Sequence, residues 1–260
     1  MQQIIVPLDF SETSFNAAEF TADMYSHRND VTITLYHFYE SEEDMEPAKQ
    51  FMKSLRERLG EKYVYIETYI ETGNDFVEQL AAFAASKRAR LIVMGLTGKT
   101  ALAQRFSGSN TLKMVEEDVC PVLIIPPDVR YKKIQNVLIA SEMRLKEETP
   151  ALLAVKEFLK DIKPAVHILN VDSSHYISLT SDFKESRDKM EAMLAEFKPE
   201  FYFMRLFDFH ESINLFSKDK QIDLIIIAPK QHSFFTRLFK TQHTKTLIYQ
   251  STIPVLAIKD

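Results

Sequence analysis

Short runs of β-branched and other apolar residues alternate along the chain with longer stretches whose apolar positions recur at helical spacing. In the first half the runs predict strands over 3–8, 31–38, 63–70, 91–94 and 122–125, separated by helices over 12–27, 44–59, 75–88 and 109–118. Ile4-Ile5-Val6 and Leu91-Ile92-Val93-Met94 are apolar without alternation, as a strand covered by helices on both faces requires. Ser11 and either Asn74 or Asp75 stand where a side-chain oxygen would cap the free N–H groups of a helix. Thr149-Pro150 offers a cap followed by proline at the first helical position. Strands and helices taking turns in this way predict an α/β fold, a doubly wound parallel sheet.

The pattern occurs twice. Ile4-Ile5-Val6-Pro7 aligns with Val137-Leu138-Ile139-Ala140, Leu91-Ile92-Val93-Met94 with Leu224-Ile225-Ile226-Ile227, and Pro121-Val122-Leu123 with Pro254-Val255-Leu256, all at an offset of 133 positions. One register shared by the start, middle and end of a unit indicates duplication. Two homologous domains, 1–130 and 131–260, are predicted. Pro126-Pro127 and the charged residues after it, up to Lys133, suit a short linker.

Composition narrows the function classes. At 45% hydrophobic and 27% charged, with no apolar run near the ~18 residues of a membrane span, the sequence predicts soluble globular domains. Residues 1–10 lack a basic region followed by a long apolar stretch, so no signal peptide is expected and the chain should stay in the cytoplasm. A single cysteine, Cys120, excludes an intramolecular disulfide and a cysteine-clustered metal site. It is read as a small buried apolar residue. A net charge of −5 argues against a surface given over to nucleic acid.

The five glycines, Gly60, Gly73, Gly95, Gly98 and Gly108, all lie in the first half. A strand running into Gly95-Leu96-Thr97-Gly98, then nine residues, then Gly108-Ser109 at an expected helix start has the parts of a phosphate cradle. Glycine lets the backbone approach a ligand, and free N–H groups at a helix N-terminus bind anions. The same residues also suit two ordinary turns with Ser109 as a cap. Gly98-Lys99-Thr100 is not a P-loop, because Val93 stands where that motif needs its first glycine, and the dinucleotide fingerprint is absent as well.

The Gly-x-x-Gly-x9-Gly-Ser spacing resembles the ATP-binding pattern of the universal stress proteins in their tandem two-domain form. The opening Ile4-Ile5-Val6-Pro7-Leu8-Asp9-Phe10-Ser11 and the closing Val119-Cys120-Pro121-Val122-Leu123-Ile124-Ile125 are similar to that family's first and last strands. The resemblance implies two five-stranded parallel sheets of order 3-2-1-4-5, joined through their last strands as an intrachain pseudo-dimer. It also implies ATP or another adenine nucleotide, with or without Mg²⁺, at the carboxyl ends of strands one and four. Carried over by position, Pro7, Leu8 and Asp9 would border adenine and ribose, and Phe38 would pack on the base. Met94 and Gly95 would lie beneath the ribose and first phosphate, while Gly98, Gly108, Ser109 and Asn110 would hold the phosphates. Asn110 departs from the apolar residue often found there.

At the same offset the second half has Glu142 for Asp9, Ala228 for Gly95, Gln231 for Gly98 and Thr241-Gln242 for Gly108-Ser109, so its nucleotide site is expected to be lost. In its place the stretch from Lys230 to Lys245 carries Lys230, Arg237, Lys240 and Lys245, the aromatics Phe234, Phe235 and Phe239, and no carboxylate. Such a stretch suits an anion, an RNA strand or a protein partner, or a plainly solvated loop. The leading expectation is a regulatory adenine-nucleotide-binding protein that responds to stress, with one site in the first domain and the second domain as its interaction side. The alternatives are an ATP hydrolase or nucleotidyl transferase using the same pocket, and a non-nucleotide module acting through residues 230–245. No catalytic residue and no metal ligand is assigned. His37 is read as a packed strand residue, and Asp208, His210, Glu211, His232 and His243 as exposed side chains.

Overall fold

In the computed structural model, residues 1–39, 43, 45–61, 65–96, 103–141, 150–171, 181–204, 209–227 and 251–258 are described, with the backbone alone at 103–109, 171, 182, 209 and 210. They divide into two units, Met1–Lys133 and Ile134–Asp260. Among the described residues no helix is long and apolar enough to cross a membrane.

The first unit runs β1 (Gln2–Leu8), α1 (Glu12–Met24), β2 (Val31–Tyr39), α2 (Met45–Gly60), β3 (Ile66–Thr72), α3 (Phe76–Lys87), β4 (Leu91–Gly95), α4 (Ala103–Glu116) and β5 (Val122–Ile125). All pairings are parallel and give the order β3-β2-β1-β4-β5. Ile4, Ile5 and Val6 of β1 and Ile92 and Val93 of β4 are fully buried, which explains their unbroken apolar runs. β3, at the edge, buries only Ile66 fully.

Both proposed caps on these helices form. Ser11 accepts from the Ser14 N–H, and Asp75 accepts from the N–H groups of Val77 and Glu78. The backbone N–H groups of Glu78 and Val77 hold the Asp75 carboxyl below its ordinary range.

The second unit repeats this arrangement with β6 (Asn136–Ala140), α5 (Pro150–Ile162), β7 (Ala165–Val171), α6 (Ser181–Met193), a 3₁₀ turn (Ala195–Phe197), β8 (Glu200–Met204), α7 (Phe209–Asp219), β9 (Leu224–Ile227) and β10 (Val255–Ala257). Pro150 opens α5, as its fixed φ favours. The order β10-β9-β6-β7-β8 is again 3-2-1-4-5 counted within the unit. Register is duplicated too: Ile4 faces Leu91 and Val137 faces Leu224, Ile92 faces Val122 and Ile225 faces Val255, all at the same offset.

Three elements depart from the sequence pattern. β3 lies two to three residues beyond the expected 63–70, in register with β2, where the Tyr36 hydroxyl donates to Glu71 at 2.9 Å. α4 begins at Ala103, six residues before the expected start at 109, so Gly108 and Ser109 belong to the body of the helix. The junction is also different from a free linker. Asn16, buried on α1, reaches the carbonyls of Pro126, Pro127 and Val129 at 3.3, 3.1 and 2.9 Å. The Arg130 guanidinium donates to the Asn16 side-chain oxygen Oδ1, and the Tyr131 ring packs edge-on against Phe20 at 5.3 Å. Prolines bring carbonyls but no N–H, so a carboxamide donor on α1 is the complement this segment needs. The first unit accordingly extends to Lys133 rather than 130.

Candidate functional site

β1 ends at Leu8, and the chain turns sharply through Asp9 and Phe10 into α1. Phe10 has φ 61°, an unfavourable conformation for an aromatic residue that tertiary contacts must hold. Asp9 is exposed, and its Oδ1 accepts from the Ser11 N–H at 3.0 Å and from the Ser11 hydroxyl at 2.5 Å. The same Ser11 oxygen caps α1 and lies 3.0 Å from the Thr13 hydroxyl. From β2, His37 Nδ1 lies 2.7 Å from the Leu8 carbonyl.

The first turn of α1 lies directly against the end of β4. A Cβ at Gly95 would stand 2.3 Å from the Thr13 carbonyl oxygen and 2.5 Å from its carbon. Gly95 is therefore required for close approach of two backbones, whatever else it does. A cavity of about 220 Å³ opens beside this contact. It lies at the carboxyl ends of β1 and β4, where the connections leave β1 in opposite directions, the customary ligand position in open α/β sheets.

Of the residues expected to hold a nucleotide, Pro7, Leu8 and Asp9 from the end of β1, Phe38 from β2, Met94 and Gly95 from β4, and Asn110 from α4 line this one cavity. Gly98 lies outside the described residues, as does the whole stretch from Lys230 to Lys245. Gly108 and Ser109 are placed by their backbone within α4. The helix start at Ala103 overturns the expectation that their N–H groups stand free at a helix N-terminus. The free N–H groups of a helix belong to its first turn, and those of Gly108 and Ser109 fall beyond it.

Four lining residues were not expected: Thr13, Ser14, Phe76 and Thr111. Thr13 and Ser14 follow the Ser11 cap, a signal that could have drawn attention to them. Phe76 reaches the cavity from the start of α3 and packs edge-on against Phe38, with ring centroids 6.0 Å apart. Cys120 is half-buried away from these residues, and burial pushes its thiol up to about 12, a range in which it is protonated and unreactive at neutral pH.

Comparison with known proteins places the chain. The Universal stress protein family profile matches residues 1–126. A universal stress protein of Methanocaldococcus jannaschii is 32% identical over 142 residues, which are 48% of this chain and 81% of that protein. The crystal structure of a universal stress protein from Archaeoglobus fulgidus is similar with a TM-score of 0.74 at 18% identity, covering 99% of this chain and 98% of that one. A functionally unknown protein from Pseudomonas aeruginosa shares the fold with a TM-score of 0.66 at 12% identity, over 100% of this chain and 92% of its own. The profile match to the first unit and a relative of which four-fifths is spanned at 32% identity establish that this chain belongs to the universal stress protein family.

Proposed function

We propose that the first unit binds one adenine nucleotide in the cavity at the ends of β1 and β4, and that the protein acts as a nucleotide-dependent regulator. The observation that carries this reading is convergence: Pro7–Asp9, Phe38 and Met94–Gly95, from three separate stretches of chain, meet at one cavity at the switch in strand order. Phe38 and Phe76 supply aromatic surface for a base, Met94 an apolar floor, and Asp9 an acceptor for ligand hydroxyl or amino protons. ATP is the nucleotide that the Gly95-x-x-Gly98-x9-Gly108-Ser109 spacing favours, with Mg²⁺ as an accompanying ion. The register of α4 shifts the available phosphate-binding N–H groups toward residues 103–106.

A single site per chain follows from the second unit's own residues. Ala228 stands at the position of Gly95, and a Cβ is incompatible with the backbone approach that Gly95 permits. Glu142, Gln231 and Thr241-Gln242 replace the other site residues. The second unit is then the interaction side, with Lys230, Arg237, Lys240 and Lys245 meeting an anionic partner protein.

Calorimetric titration with ATP, ADP and AMP tests the reading. A stoichiometry near one, lost on Asp9→Ala, is expected. Two equivalent sites, or no binding by any of the three, would overturn it.

A further inference from the structure

Asp9 is the one carboxylate among the described residues that line the cavity, and while Ser11 holds its Oδ1, the turn that carries it must itself be held. It is exposed, and it sits in a tight turn between the last residue of β1 and a phenylalanine in a left-handed conformation. Both of its neighbours are held by the same side chain. His37, 7% exposed on β2, stands opposite Leu8 in the parallel ladder, and its Nδ1 is 2.7 Å from the Leu8 carbonyl oxygen. A carbonyl only accepts, so Nδ1 carries the proton and the ring is in its Nδ1–H form. The face of the same imidazole stacks on Phe10, with centroids 4.2 Å apart and planes at 27°. Phe51 packs on Phe10 at 5.1 Å, which adds to what keeps φ positive there.

The second unit supplies an independent observation. At the equivalent position, Asn170 donates through Nδ2 to the carbonyl of Ser141 at 3.0 Å, and Ser141 is the equivalent of Leu8. The clamp is built twice, by two side chains that share a short reach and an N–H donor. What distinguishes the first unit is the ring face, and it is there that an aromatic residue follows the site's acid. The second unit has Met143 at that position.

We propose that His37 is the positioning residue of the nucleotide site. Its Nδ1–H fixes the carbonyl before Asp9, its ring fixes the side chain after Asp9, and the carboxylate is thereby aimed into the cavity. The proposal rests on the nucleotide-binding reading above and predicts how binding responds to change at a residue that is not among those lining the cavity.

His37→Phe keeps a ring but leaves the Leu8 carbonyl without its donor, and AMP affinity should fall about 10-fold. His37→Asn, which copies the second unit, restores the donor and should recover affinity to within about 3-fold of the original protein. Because the effect runs through Asp9, His37→Phe in an Asp9→Asn background should cost little more than Asp9→Asn alone. Thermal melts of each variant check folding. Additive losses in this cycle, or no recovery with Asn in a folded protein, would overturn the proposal. The ¹⁵N spectrum of the imidazole in the unaltered chain decides it separately: a protonated Nδ1 is expected, and a bare Nδ1 ends the clamp even if His37 variants fail to fold. Should the unaltered protein bind no adenine nucleotide, the nucleotide reading falls, while the tautomer still tells whether His37 holds Leu8.

Discussion

The two units keep the same frame and differ at the loops that leave it. Sheet order and register repeat at one offset, and so does the clamp between the first two strands. Even the cover of the edge strand recurs. Tyr69 stacks on Phe83 at 4.2 Å with Lys87 over the Phe83 ring, and their equivalents Tyr202 and Phe216 meet at 4.9 Å with Lys220 over the Tyr202 ring. Among the candidate-site positions that differ are Asp9 against Glu142, Gly95 against Ala228, and Gly98 against Gln231. Frame positions answer to close packing, where even a methylene is felt, whereas residues at the carboxyl ends of strands answer to a ligand.

The largest expected effect breaks this symmetry at Gly95. Gly95→Val drives a side chain into the Thr13 backbone and should destabilise the first unit by roughly 2–3 kcal/mol. Ala228→Gly, the reverse exchange, should change stability by less than about 1 kcal/mol. Urea denaturation with a probe in each unit measures both, and equal effects would mean that the units do not differ at this contact. Next is the junction segment that follows β5. Asn16→Leu strands the carbonyls of Pro127 and Val129, with an expected loss of about 2 kcal/mol by the same measurement.

A smaller effect concerns binding. Asp9→Asn should weaken AMP about 10-fold, about 1.4 kcal/mol, and Glu142→Gln less than 2-fold, each read by titration calorimetry. The smallest is a pH dependence confined to the second unit. His167, buried on β7 where the first unit has Thr34, is pushed below its ordinary value of 6.5 chiefly by burial, against the pull of Glu200 3.6 Å away and with a further push from Lys220. The folded state therefore resists protonation that the unfolded chain accepts. Stability is full above 6.5 and declines as pH falls below it. His167→Thr should flatten that decline, measured as the denaturation midpoint of the second unit between pH 7 and pH 5.

Legibility along the chain followed burial. Ile4–Val6, Leu91–Met94 and their equivalents could be read as strands because nothing but a core surrounds them. β3, with one fully buried residue, could not be placed to better than two or three positions. The start of α4 was misplaced because Gly108-Ser109 looks like a helix boundary by propensity, and an intrinsic preference of about 1 kcal/mol is weak against tertiary context. Pro7–Asp9, Phe38, Met94–Gly95 and Asn110, which line the cavity, were legible only through the resemblance to the universal stress proteins. Phe76 was not, since its place at the cavity depends on how the start of α3 packs beside Phe38 of β2.

By itself the sequence determined the duplication and the parallel α/β class, because periodic burial writes both into the order of apolar residues. Only the tertiary structure decided that Gly95 is demanded by the Thr13 backbone, that Asn16 answers three proline-region carbonyls, and that His37 grips the residues on both sides of Asp9. These contacts join residues distant in the chain through single backbone groups. The partner's identity barely constrains the residue type, as His37 and Asn170 show by making the same bond.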